Sequence, residues 1–302
     1  MLILAIGEIL VDIFPEYRRI GGAPFNFSYH LYNFGMPVKF ISRIGKDNTG
    51  AQILDFLKKN DFDPDSIQID PKRPTGKVLV HPDSKGGHLF EIVEDVAYDH
   101  IELPETPASL SKTTPQMIYF GTLIQRTPKA FALVQQFLKN RSPQTRCFCD
   151  INLRPGCYST ETVQNCLYQT NILKINEEEI ETVRKMHGSS LGEEKFVKWL
   201  MEKYEIELVS LTRGREGSEL YDGKSRHTIG VPESGYIKDT VGAGDAYAAV
   251  LAFGYLKGWP AEKIISEAAY FAAQICTIQG AVAQDRSFYE TFINRVTGET
   301  HA

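Results

Sequence analysis

The stretch Asp239-Thr-Val-Gly-Ala-Gly-Asp245 opens directly into a long apolar segment. Gly242 and Gly244 permit a tight turn, and the amides of Gly242, Ala243 and Gly244 are left uncovered. A helix starting there aims its free N–H groups and positive dipole end at whatever occupies the turn. Such a loop suits a phosphate or another oxyanion. A carboxylate at a helix start, such as Asp245, can be a simple cap. A cap has no need of two preceding glycines, however. Beside an anion hole, Asp245 can take the proton of an alcohol that attacks a phosphoryl group.

Further polar residues fall at strand-to-helix junctions. Gly21-Gly22-Ala23-Pro24-Phe25-Asn26 begins a helix, with Pro near its first position and Asn26 in its first turn. Gly22 allows a ligand to approach the backbone, and the Asn26 amide can bond hydroxyls. Asp12 follows the first strand, where an acid suits a pair of sugar hydroxyls or is simply a solvated strand-end charge. Asp150-Ile-Asn-Leu-Arg154 places Asp, Asn and Arg on one side if the chain is extended. Asn176-Glu-Glu-Glu179 reads either as a helix cap followed by acids that favour the dipole, or as part of a site. Thr212-Arg-Gly-Arg-Glu-Gly217 is a glycine-rich turn after another strand. Two tempting matches fail. Gly223-Lys224-Ser225 lacks the upstream glycine of a phosphate-binding loop, which is Ser218 here. The dinucleotide fingerprint needs three glycines after the first strand, and only Gly7 is present.

These residues require a scaffold. The chain has 302 residues, 42% hydrophobic and 24% charged, so a folded protein with a sizeable core is expected rather than a disordered one. With 33 basic and 38 acidic residues the net charge is −5, which argues against a nucleic-acid or anionic-membrane binder. The apolar run 246–256 is too short to span a bilayer. The start Met-Leu-Ile-Leu-Ala-Ile has no basic leader and reads as a buried strand. The five cysteines, Cys147, Cys149, Cys157, Cys166 and Cys276, form no zinc spacing and fit reduced thiols in a cytoplasm. Apolar runs at 2–6, 38–42, 117–120, 146–150, 171–175 and 207–212 alternate with helical patterns at 24–34, 49–60, 128–139, 160–168, 177–186 and 192–204. Helices at 242–257, 260–277 and 287–296 close the chain. A hairpin joins 218–221 to 226–229 through Asp222-Gly223. This alternation predicts an α/β fold with a mainly parallel sheet between helical layers. Residues 67–95, with a hairpin loop at 83–87, predict a small antiparallel sheet inserted into it, together with 11–20.

Taken together, the motifs resemble the PfkB, or ribokinase-like, carbohydrate kinases. Residues 21–35 are similar to that family's N-terminal signature and residues 239–254 to its C-terminal one. Asn176 and Glu179 match its Asn-x-x-Glu motif; Thr212, Gly214 and Gly217 match its Thr-x-Gly-x-x-Gly turn. The resemblance spans essentially the whole chain. It implies one ribokinase-like domain over 1–302, a three-layer α/β/α sandwich with a small β-sheet lid from about 11–20 and 67–95. It further implies an ATP-dependent sugar kinase in which Asp245 is the general base and Gly242, Ala243 and Gly244 form the anion hole. Asp12, Gly22, Asn26 and Arg154 would hold the sugar, with Phe90 of the lid a further contact. Asn176, Thr212, Gly214 and Gly217 would line the ATP site, and Glu179 would place Mg2+ through water. A monovalent cation, K+, would be held by Asp239, Val241, Ile275, Ile278 and Gly280. The segments 21–24, 120–123 and 152–154 look most like the fructokinase branch, so fructose is the first expectation. Ribose, 2-keto-3-deoxygluconate and a nucleoside such as adenosine remain open, as does a non-catalytic sugar- or nucleotide-binding regulator on the same fold. A homodimer through the lid is a further expectation. The stretch between Asp12 and Gly21 is short and carries Arg18 and Arg19, a departure from the family pattern.

Overall fold

A computed structural model of the chain describes all residues except 83–87, 111–112, 234 and 299–302. The expected hairpin loop at 83–87 lies outside the described residues. The first half contains β1 (Ile3–Ile6), β2 (Leu10–Ile13), β3 (Arg18–Gly21), α1 (Ala23–Asn33), β4 (Val38–Gly45), α2 (Asn48–Lys59), β5 (Ile67–Asp70), β6 (Gly76–Pro82), β7 (His88–Ile92), β8 (Met117–Phe120), α3 (Pro128–Lys139) and β9 (Arg146–Asp150). The second half contains α4 (Thr160–Gln169), β10 (Ile172–Asn176), α5 (Glu177–Met186), α6 (Glu193–Tyr204), β11 (Leu208–Thr212), β12 (Ser218–Tyr221), β13 (Arg226–Ile229), α7 (Ala243–Leu256), α8 (Ala261–Ile275) and α9 (Arg286–Thr297).

The large sheet runs β13-β12-β11-β10-β9-β8-β1-β4-β5, parallel from β11 to β5 and antiparallel at the β12–β13 edge. Both faces are covered, which explains why the parallel strands are apolar at successive positions. Ile3 and Ala5 enter the core layer shared with α1, α7, α8 and α9. Leu4 and Ile6 enter the opposite layer, shared with α3, α4, α5 and α6. Cys147 and Cys149, two apart on β9, pack in that second layer beside Cys166. This is the expected three-layer α/β/α architecture. The helix starts follow local chemistry. The Asp47, Thr127 and Ser159 side chains each accept a hydrogen bond from a backbone N–H in the first turn of α2, α3 and α4.

The small sheet departs from expectation in two ways. Its order is β3-β2-β6-β7, with β2 parallel to β6, so it is mixed rather than antiparallel. Residues 67–70 do not belong to it. As β5 they extend the large sheet beyond β4, pairing Ile67 with Ser42 and Ile69 with Ile44. The mixed character has a simple cause: β2 and β3 form a hairpin far upstream, and only a crossover can bring β6 beside β2.

Strand order reverses between β1 and β8, whose neighbours run upward in sequence in opposite directions. The crevice beyond the carboxyl ends of strands at such a point is where open α/β sheets bind ligands. The carboxyl ends of β9, β10 and β11 lead into Asp150, Asn176 and Thr212 on the same side.

Candidate active site

Helix α7 is apolar on nearly all sides, buried from Ala246 to Gly254, and packs between α1 and α8. Such a helix is fixed rigidly, and so is the turn that begins it. Gly242 adopts φ +81° at its start, and a Cβ there would lie 2.4 Å from the Ala281 methyl. Only glycine fits this turn. Among the described residues no side chain caps the helix. Asp245 therefore is not the cap it resembles in sequence. Its carboxylate instead accepts a 2.7 Å hydrogen bond from Asn26 Nδ2 on α1. The Asn26 Oδ1 is buried without a partner among the described residues, an acceptor that a ligand hydroxyl could use.

Three carboxyl groups gather at this end of the sheet. Burial pushes Asp245 up to about 6, helped by Asp150, against the Asn26 hydrogen bond and the charges of Lys174 and Arg154. Burial likewise raises Asp12 to about 6, with Arg154 and Arg19 pulling the other way. Glu8, 4% exposed in the turn after β1, is raised to about 7 by burial against its backbone hydrogen bonds and Arg154. Arg154 is exposed in the loop after β9, and its charge is felt by Glu8, Asp12 and Asp245. Gly22 packs closely against the Glu8 backbone. It has φ +113°, and a Cβ would lie 2.5 Å from the Glu8 carbonyl oxygen. The expected extended run of Asp150, Asn152 and Arg154 does not form. Asn152 turns the chain at φ +40°, and Asp150 is buried behind it.

Asp150 instead pairs with Lys174 on the next strand, with Nζ 2.9 and 3.1 Å from its two oxygens. Burial disfavours a charged lysine, but Asp150 and Glu179 outweigh it and raise Lys174 above its ordinary value. Lys174 Nζ lies 3.4 Å from where a Cβ of Gly244 would sit, beside the turn that begins α7. Neither Lys174 nor Glu8 is expected as a site residue from the motifs. A lone lysine inside the apolar run 172–175 is the signal that marks it, since a buried charge must find a partner.

A cavity of about 430 Å³ adjoins the turn. Asn176, Thr212, Gly214 and Gly217 line it together with Ala243 and Gly244, so the expected nucleotide residues meet two of the residues expected to form an anion hole. Its far wall is apolar, from Val231, Ala269, Ala272 and Ala273. Asn176 both caps α5 and faces this cavity. Its Oδ1 accepts the N–H groups of Glu178 and Glu179 at 3.0 and 2.9 Å. Glu179 returns the bond to the Asn176 N–H at 2.9 Å and accepts the Leu153 N–H at 2.8 Å. Both its oxygens are thus engaged. Among the described residues no group of three or more His, Cys, Asp or Glu side chains is arranged to hold a metal ion. A magnesium ion there would rest mainly on phosphate oxygens and water, with Glu179 reaching it through water.

The residues of the expected monovalent-cation set also come together, but they do not fit that ion. Asp239 accepts hydrogen bonds from the Val241 and Gly280 N–H groups, each at 3.1 Å, and from the Arg19 guanidinium. Burial works to raise the Asp239 carboxyl; these donors and the Arg19 charge outweigh it and hold it below its ordinary value. The Ile275 carbonyl accepts the Ile278 N–H at 3.2 Å. The set's one carboxylate already holds a cation.

A helix start with no side-chain cap among the described residues, a hydrogen-bonded carboxylate beside it and an adjoining cleft, on a ribokinase-like fold, are the arrangement a group-transfer enzyme would use. Residues 16–286 match the pfkB family of carbohydrate kinases, and the chain belongs to that family. It is thus an ATP-dependent carbohydrate kinase. An uncharacterized sugar kinase of Pyrococcus horikoshii is 27% identical over 275 residues, covering 85% of this chain and 83% of that protein; its crystal structure superposes with a TM-score of 0.80. A 5-dehydro-2-deoxygluconokinase of Geobacillus thermodenitrificans is 23% identical over 303 residues, covering 89% and 86%. A fructokinase of Xylella fastidiosa, solved with bound ATP, superposes with a TM-score of 0.82 over 98% of this chain and 99% of that one; at 18% identity it speaks to the fold alone.

Proposed function

We propose that the chain transfers the γ-phosphoryl group of ATP to a hydroxyl of a small neutral sugar, with fructose as the first acceptor to test. The observation that carries this is the junction of Asp245, held by Asn26, with an open anion-binding turn that walls the 430 Å³ cavity. ATP would occupy that cavity, its base against the apolar wall and its phosphates at residues 242–244. Asp12, Gly22, Asn26 and Arg154 would hold the sugar. Asp245 would accept the proton as the hydroxyl attacks, and the amides of the turn would meet the charge on the moving phosphoryl group. Mg2+ carried by ATP supplies further neutralisation of the phosphates. The small sheet acts as the lid; Phe90, 60% exposed on it, would touch an acceptor, and the sheet would meet a second copy of the chain in a lid-to-lid dimer. The buried thiols of Cys147, Cys149 and Cys166 fit a reducing cytoplasm, and no helix among the described residues is long and apolar enough to cross a membrane.

Charge supports the neutral acceptor. Glu8, Asp12 and Asp245 crowd the site, with Lys174 already paired to Asp150 and Arg19 to Asp239, so a sugar acid meets repulsion there except at Arg154. Arg154 is also the observation that favours a second reading, 5-dehydro-2-deoxygluconate, whose carboxylate a guanidinium would recognise. The test is ADP release coupled to a dehydrogenase, with Mg-ATP and a panel of fructose, ribose, 2-keto-3-deoxygluconate, 5-dehydro-2-deoxygluconate and adenosine. Release dependent on fructose supports the first reading. Release with a sugar acid that is lost in Arg154→Ala supports the second. ATP binding with no release across the panel would favour the non-catalytic regulator.

A further inference from the structure

Arg19 takes no part in the transfer described above, yet it joins two regions that the transfer requires. On the β2–β3 hairpin it stands opposite Asp12. Its side chain passes Gly280, with Cδ 3.9 Å from the place a Cβ there would take, and its Nη1 donates to Asp239 Oδ2. The guanidinium is held from behind by two rings. It lies 4.5 Å from the centre of Tyr17 and 5.5 Å from that of Phe14, and these rings stack at 4.4 Å. Both members of the pair are mostly covered, Arg19 at 17% and Asp239 at 15% exposure. The same carboxylate holds the Val241 N–H, one residue before the anion-binding glycines, and the Gly280 N–H. One ion pair thus ties the small sheet, the 239–244 turn and the loop around Gly280.

The cation expected at Asp239 would do similar work: a positive charge on this carboxylate would order the turn that follows it. Here a guanidinium tethered to β3 already supplies that charge. A second cation on the same oxygens would meet the guanidinium at contact distance, and their repulsion would offset its attraction to the carboxylate. A planar guanidinium donating to a carboxylate and lying over two aromatic faces is a preorganised arrangement that lysine does not reproduce.

We propose that Arg19 is a built-in replacement for a monovalent cation: through Asp239 it positions the anion-binding turn, so that turnover is independent of K+. This rests on the kinase reading. The test compares protein prepared in tetramethylammonium chloride with protein in KCl at equal ionic strength. Two readouts are taken in each salt: the turnover of the acceptor found in the panel, and the melting temperature without ligands. Wild-type values should coincide in both salts. Arg19→Ala should lose about tenfold or more in kcat in tetramethylammonium, the worth of one charged hydrogen bond. It should regain much of that in KCl, with a higher melting temperature in KCl than in tetramethylammonium. A purely structural role would lower both values without any preference for K+. If Arg19→Ala does not fold, Arg19→Lys serves: the same charge in poorer geometry should give a smaller loss and a weaker K+ response. Wild type activated several-fold by K+, or Arg19→Ala matching wild type in both salts, would overturn the proposal. A wild type with no turnover in any salt would count against the kinase reading, while the melting temperatures would still report on the Arg19–Asp239 pair.

Discussion

At the scale of single residues, the site is built from pairings that change what each group can do. Asp245 would be suited to the proposed role of base because burial raises it to about 6 while the Asn26 amide holds one of its oxygens in place. Asp245→Asn keeps the shape and removes the proton acceptor. Turnover should fall by about 10²–10⁴-fold, the usual worth of a positioned base, while acceptor binding measured by calorimetry stays within about threefold. A residual rate near wild type would remove Asp245 from that role. The buried Lys174–Asp150 pair sits beside the turn that begins α7 and is structural first. Lys174→Met leaves Asp150 charged and unpaired, at a cost of about 3–5 kcal/mol, or a fall of about 10 °C in melting temperature. The double variant Lys174→Met, Asp150→Leu should recover most of that loss; a double variant no better than the single would show that the pair is not the source. Asp245 and Asn26 are legible from sequence because each sits beside glycines that only a tight turn explains. Lys174 and Glu8 are less so. A buried charge is recognised by its partner, and the partner of Lys174 lies 24 residues away on another strand. A single chain does not display such pairings.

At the scale of elements, the parallel strands and their helices are legible because local signals agree with one another. Proline and threonine open α3 and serine caps α4, and the strands between are apolar on both faces. The small sheet is harder to read, because β2 and β6 meet only through a long crossover and the short runs around residue 67 carry no mark of which sheet they join. The start of α7 shows how much one element boundary carries. Gly242→Ala would force a methyl to within 2.4–2.5 Å of Ala281 atoms at a left-handed φ. That should cost about 2–5 kcal/mol, read as a clear drop in denaturant midpoint. At Gly244 a Cβ meets Lys174 Nζ at 3.4 Å, an ordinary contact. Gly244→Ala should therefore fold with a midpoint close to wild type, yet lose about ten- to a hundredfold in kcat because its methyl obstructs the anion-binding turn. Equal losses of stability in the two variants would mean that the turn is looser than its geometry indicates.

At the scale of the whole molecule, the clustered carboxyl groups separate activity from stability along the pH axis. Glu8 titrates near 7 in the folded chain, against 4.5 when unperturbed. Asp12 and Asp245 titrate near 6 against 3.8. Between pH 7.5 and 5 these three take up protons in the folded state that the unfolded chain does not bind, so acidification through that window favours the fold. The opposing group is His30, buried and held down to about 3 by desolvation against an ordinary 6.5. The unfolded state gains a proton at His30 that the folded state refuses, which costs stability as pH falls below 6.5. Three groups outweigh one. The carboxylates held below their ordinary values, Asp47, Asp70 and Asp239 among them, are protonated in the unfolded chain only near and below pH 4 and add little to this window. The melting temperature should therefore hold or rise from pH 7.5 to 5. Over the same range kcat/KM should fall about tenfold per pH unit below about 6, as a base with that pKa becomes protonated. Activity lost on acidification should return at once on neutralisation. Calorimetric melts and initial rates on one preparation decide the matter: coincident loss of fold and rate would mean that unfolding, not protonation of Asp245, stops the enzyme.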